Sequence, residues 1–193
     1  MKRRATRGPK VLVLGCGNPS RGDDALGPLL MARVDAWIRL HPDRPVEAVE
    51  DFQLQVEHTL DLQRRDLALF VDATASGHDP VTLHRVLPAA DFSFSTHALS
   101  PPALLQAFVT LDRGTPPPAF ALAVRGYSFG LGHSLSAEAA HNFELAWALL
   151  ERMLERPSRK SWEELCTLDP SLPHYAHHAE APPALALSSY RPD

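Results

Sequence analysis

Two adjacent carboxylates, Asp23 and Asp24, close a Gly/Asn/Pro/Ser loop in the stretch Val11–Leu30, VLVLGCGNPSRGDDALGPLL. A third, Asp72, directly follows the apolar run Leu67–Val71, with Thr74 two residues further on. An imidazole, His97, ends Phe94-Ser95-Thr96-His97, just before Ser100-Pro101. Two carboxylates and one imidazole make an oxygen, oxygen and nitrogen donor set, suited to a borderline divalent ion such as nickel or zinc. Such a set leaves coordination positions open for water or substrate. Each residue also has a plainer use. Asp24 can cap a helix, and Asp23 can favour the positive end of that helix. His97 alone reads as an ordinary loop histidine. Asp72 can cap a turn, but an acid after five apolar residues is costly to bury without a partner.

The elements that must position these groups alternate between strand-like and helix-like patterns. Lys10–Leu14, Val46–Glu50, Leu67–Val71 and Ala119–Val124 read as strands, with Val81–Val86 as a weaker edge strand. Leu67–Val71 and Ala119–Val124 are continuous apolar runs, the signature of central parallel strands. Leu26, Leu29, Leu30, Val34 and Ile38 recur at helical spacing within Ala25–Leu40. Gln55–Leu62 reads as a short helix. Ser100-Pro101 starts another that runs to Leu111, and Ser136 can cap a last one from Ala137 to Leu154. This order predicts a single three-layer α/β/α domain, with a mainly parallel twisted sheet of about five strands. In a parallel sheet the strand ends share one edge, where ligands bind. Asn18, Asp23, Asp24, Asp72 and Thr74 would meet there, joined by the loop that carries His97. Residues 1–9 read as an N-terminal extension and 10–155 as the domain. Residues 156–193, with six prolines and three histidines, read as an irregular tail in which Trp162–Leu168 forms a short helix.

The 193 residues are 45% hydrophobic, enough for one sizeable core. A net charge of -4 gives no basic surface for nucleic acid. The basic start, Lys2-Arg3-Arg4 and Arg7, has no signal-length apolar segment after it, and no run reaches a membrane span. Two cysteines, Cys16 and Cys166, are too few for a disulfide scaffold. The expectation is a cytoplasmic protein with no membrane or nucleic-acid partner. Gly15-Cys16-Gly17 has the start of a dinucleotide-binding loop, and Glu50 or Asp51 supplies an acid after the second strand. The third glycine of that fingerprint is replaced by Ser20. Cys16, beside two glycines, reads as a small buried residue. His174, His177 and His178 in the Pro-rich tail read as solvated side chains.

With these residues in view, the chain resembles the nickel–iron hydrogenase maturation endopeptidases. These enzymes remove a C-terminal extension from the hydrogenase large subunit after nickel insertion. Their first loop has the form GxGNxxxxD(D/E)xxG, matched here from Gly15 to Gly27. Asp72-Ala73 matches their second acid, and Ser95-Thr96-His97 matches their histidine. The resemblance covers roughly 11–154. Glu50–Gln55 and Arg125–Phe129 are similar to the branch serving bidirectional, NAD-linked hydrogenases.

The resemblance implies Asp24, Asp72 and His97 as metal-contacting positions, with Asp24 and Asp72 also catalytic. Which of Asp23 and Asp24 makes the first contact stays open. Asn18, Asp23, Thr74 and Thr96 stand beside them as substrate-binding groups. The implied partner is a hydrogenase large-subunit precursor that brings its own nickel, for which another divalent ion can stand in. The alternatives are a non-catalytic nickel checkpoint or chaperone for that precursor, and a nucleotide-binding α/β protein.

Overall fold

Five strands carry the architecture: β1 (Val11–Cys16), β2 (Val46–Asp51), β3 (Leu67–Thr74), β4 (Val81–Val86) and β5 (Ala119–Arg125). The computed structural model describes residues 8–90 and 99–167. The strands form one sheet in the order β2-β1-β3-β5-β4. β1 pairs in parallel with β2 and β3, β3 pairs in parallel with β5, and β4 runs antiparallel at the edge. Every residue of β1 is buried, as expected of an apolar strand covered on both faces.

Helices cover both faces. α1 (Leu26–Leu40), α3 (Ala137–Glu155) and α4 (Arg159–Thr167) build the larger core. Leu30, Val34, Trp147 and Leu150 pack there against Val11, Val13, Leu69 and Phe120. α2 (Pro101–Thr110) covers the other face through Leu104, Leu105 and Phe108, over Leu12, Leu14, Ala68 and Phe70. Ser100 caps α2 by accepting from the Ala103 N–H, and Ser136 caps α3 by accepting from the Ala139 N–H.

The structure refines several elements. The helix expected to begin at Ala25 opens instead as a 3-10 turn, Gly22–Ala25, and becomes α1 at Leu26. Leu29, placed on the apolar face by its spacing, is 42% exposed, because Leu26 and Leu30 already face the sheet. Gln55–Leu62 shortens to a 3-10 turn at Val56–Thr59. β3 extends to Thr74, so Asp72 lies within the strand rather than after it. The antiparallel sense of β4 pairs its last residue, Val86, with Ala119, the first of β5, at the edge opposite the parallel strand ends. The chain returns by Leu99, whose N–H bonds the Leu54 carbonyl just beyond β2.

α4 begins three residues before the expected Trp162 and is anchored by that residue. Trp162 is fully buried, donates its indole N–H to the Met153 carbonyl at 3.0 Å and meets Phe120 edge-on at 5.3 Å. Replacing so large a buried ring with alanine costs about 3–5 kcal/mol. Urea unfolding of Trp162→Ala should show a loss of that size, and a loss below about 1 kcal/mol would mean that α4 is peripheral.

Candidate functional site

The four parallel strands end along one edge, and three of them bring acids there. β1 runs into the loop bearing Asn18 and the 3-10 turn bearing Asp23 and Asp24, β2 ends on Asp51 and β3 carries Asp72. One glycine of the loop and one in the first turn of α1 let the helix start this close to the sheet. At Gly17 (φ 142°) a side chain would run into the Asp24 carbonyl. At Gly27 it would run into the Cys16 carbonyl.

The adjacent acids have different tasks. Asp23 is fully buried. Its carboxylate accepts from the Tyr127 N–H (2.6 Å), the Ser128 N–H (2.8 Å), the Ser136 N–H (2.7 Å) and the Ser136 hydroxyl (2.8 Å). Burial pushes this carboxyl up, but the bonds from Ser136, Tyr127 and Ser128 outweigh it and hold the group below its ordinary 3.8. The expected substrate contact at Asp23 therefore becomes a structural clamp, since its oxygens are taken up inside the chain. Asp24 is the acid that reaches the surface. It is half-buried, and its Oδ2 accepts from the Asn18 N–H at 3.0 Å.

Asp72 is exposed, and its Oδ1 accepts from the Ala73 N–H at 2.8 Å. Surrounding protein pushes its carboxyl up to about 7, opposed by the Ala73 bond and reinforced by the charge of Asp24. The charge of Asp24 thus reaches Asp72 across the strand ends. Cys16, between them, is pushed up to about 12 by burial and then by Asp72, Asp51 and Asp24. Its thiol stays protonated, so the cleft offers oxygen donors rather than a thiolate.

The other expected binding groups are engaged locally. Asn18 Oδ1 accepts from the Ser20 N–H, and the Thr74 hydroxyl accepts from the Ser76 N–H, which tightens the turn after β3. Thr96 and His97 lie outside the described residues, as do His174, His177 and His178. Among the described residues no three His, Cys, Asp or Glu side chains are placed to hold a metal ion. No helix among them is long and apolar enough to cross a membrane.

Two further groups stand near the strand ends: Asp51, which the sequence offers only as an acid after the second strand, and His58, to which it gives no role. His58 Nε2 lies 3.4 Å from Asp51 Oδ2. The available signal was the spacing of an acid at a strand end from a histidine in the following turn.

Fold and site together define an open α/β protein with carboxylates gathered at the carboxyl ends of its parallel strands. Its structural neighbours are hydrogenase maturation proteases. The [NiFe] hydrogenase maturation protease HycI from Thermococcus kodakarensis KOD1 aligns with a TM-score of 0.59 and 22% identity, over 77% of this chain and 95% of that one. The hydrogenase maturating endopeptidase HybD from E. coli aligns at 0.58 and 20%, over 77% and 94%. The hydrogenase 2 maturation peptidase from Thaumarchaeota archaeon SCGC_AB-539-E09 aligns at 0.51 and 18%, over 75% and 97%. At these identities the likeness is one of fold, and none of these names singles out the NAD-linked branch. No family model matches the chain, and no curated protein matches it.

The Asp23 clamp has a measurable signature. Asp23→Ala leaves buried N–H donors unpaired and should cost about 3 kcal/mol at pH 7. Because the folded carboxyl lies below its ordinary 3.8, its stabilisation is full above that value and is lost as pH falls through the folded value. The gap between wild type and Asp23→Ala in urea melts should therefore narrow between pH 4 and pH 2. A constant gap over that range would contradict the clamp.

Proposed function

We propose that this protein is an endopeptidase that removes the C-terminal extension of a nickel–iron hydrogenase large-subunit precursor, and that it acts after recognising nickel already bound in that substrate. The observation that carries the reading is the placement of Asp24 and Asp72 at the carboxyl ends of neighbouring strands β1 and β3, where the charge of Asp24 acts on Asp72. It occurs in a fold held in common with solved hydrogenase maturation proteases.

The electrostatics support a visiting cation. A carboxylate whose ionisation is opposed by its surroundings and by a neighbouring carboxylate, as at Asp72, belongs to a site that positive charge stabilises. Asp24 and Asp72, with His97 as the third group, would add hard oxygen and imidazole ligands to the substrate's nickel. Such donors read the metal without competing strongly against soft thiolates in the substrate. The protonated Cys16 thiol fits this, since a thiolate there would compete for the metal. Once nickel is engaged, the nearby peptide bond is held for attack by water, an arrangement in which positioning supplies much of the rate.

The surroundings fit a macromolecular substrate. Phe52, Val56 and Leu60 follow β2 and are 67%, 45% and 56% exposed, while Tyr127 and Leu131 follow β5 and are 51% and 77% exposed. Apolar side chains thus stand on both flanks of the carboxylates, as on a surface that meets another polypeptide. The stretches containing Phe52 and Tyr127 are those resembling the NAD-linked branch, so we assign the partner to that class.

The test is processing by an Asp72 variant. Asp72→Asn should fold normally and process nickel-loaded precursor at least about 100-fold more slowly than wild type, followed by gel mobility. Processing at the wild-type rate would remove Asp72 from the site and the reading with it.

A further inference from the structure

We propose that Asp51, set in place by His58, is a third working carboxylate of this cleft and takes the proton from the attacking water. The inference rests on the endopeptidase reading above and adds a residue to its chemistry.

The sheet register places the group. Cys16 pairs with Asp51, and Gly15 pairs with Val71, so Asp51, Cys16 and Asp72 form a row across β2, β1 and β3. Strand alternation puts all three on the α2 side. Cys16 packs in the core on that face, Asp72 follows Phe70 of the same core by two residues, and Asp51 follows Val49, which packs against it, by two. The Cys16 thiol accordingly feels the charges of Asp72, Asp51 and Asp24 together.

His58 orients Asp51. The imidazole is 7% exposed, and its Nδ1 accepts the Gln55 N–H at 2.9 Å. That bond assigns the ring proton of the neutral form to Nε2, which faces Asp51 Oδ2. The Gln55 side-chain amide donates to the same oxygen at 3.4 Å, and the Phe52 N–H donates to Oδ1 at 2.6 Å. Gln55 and Phe52 donate, His58 Nε2 stands 3.4 Å from Oδ2, and 30% of the Asp51 side chain stays open. A carboxylate has about four lone-pair sites, so these contacts leave room to accept from a water.

The chemistry needs such a group. A carboxylate that ligates a cation has lone pairs committed to it and is a weaker base. Asp24 and Asp72 are so committed in the proposed complex, whereas Asp51 has an orienting imidazole and no metal duty. As the water oxygen bonds to the carbonyl carbon, its proton passes to Asp51. As the C–N bond breaks, that proton passes on to the departing amine. The products are a carboxylic acid and an amine, and Asp51 returns to its starting form. A base held by a second group within hydrogen-bond reach is the usual arrangement for this transfer.

The test uses the full chain and nickel-loaded large-subunit precursor. Asp51→Ala should capture the precursor within about threefold of wild type, with kcat lowered about 100-fold or more. Added sodium formate should restore part of that loss by replacing the missing carboxylate, which a purely structural defect would not allow. His58→Phe should lower kcat about tenfold, while His58→Gln, which keeps an N–H donor, should stay close to wild type. Asp51→Ala processing at the wild-type rate would overturn the inference. So would a variant that loses capture together with cleavage, or one that formate does not rescue. If wild type neither captures nor cuts nickel-loaded precursor, the endopeptidase reading fails and Asp51 falls with it. If wild type cuts and Asp51→Ala cuts equally, only the role of Asp51 is lost.

Discussion

The buried carboxylate of Asp23 is the interaction on which the cleft depends. It joins the loop after β1 to the segment between β5 and α3, more than a hundred residues away in the chain. Three backbone N–H groups and one hydroxyl take the place of water around its charge. Further bonds reinforce the seam: Asp23 N–H to the Ser128 carbonyl, Gly22 N–H to the His133 carbonyl and Gly132 N–H to the Ser20 carbonyl. A buried charge satisfied by oriented donors fixes geometry tightly, because any displacement leaves several partners unpaired at once. Asp24 is the next residue, so the clamp also sets where Asp24 meets the cleft.

From that seam the acids acquire opposite electrostatics. Asp23 is surrounded by donors and held as an anion. Asp72 is exposed, with one backbone donor and a neighbouring carboxylate whose charge opposes its own. The first arrangement is complete in itself. The second gains from an arriving cation, and this contrast divides structure from proposed function within a few strand ends. The parallel sheet makes the division possible, since it delivers the ends of β1, β2 and β3 in register while each following loop is free to differ.

Much of this was legible in the sequence because it depends on local pattern. Continuous apolar runs marked β1, β3 and β5, and Ser100 and Ser136 marked the starts of α2 and α3. The carboxylates at the strand ends followed from the parallel arrangement. What escaped depends on distant partners. Asp23 and Asp24 occupy equivalent places in the motif, and only the segment 127–136 decides which is buried. The strand Val81–Val86 showed its edge character but not its direction, which is set by pairing with β5. Trp162 shares its short helix with only Leu165 and Cys166 as apolar residues, so its burial against Phe120 leaves little periodic trace. His58 lies in a turn too short to show a period, and its link to Asp51 is geometric. His97 and Thr96 lie outside the described residues, so their part rests on the sequence motif.

The central claim is that the cleft cuts a precursor because that precursor carries nickel. The most direct measurement mixes the purified protein with nickel-loaded and nickel-free hydrogenase large-subunit precursor and weighs the products by mass spectrometry. The account predicts loss of a C-terminal fragment from the nickel-loaded precursor alone. An unchanged mass in both samples, or equal cleavage with and without nickel, would contradict it.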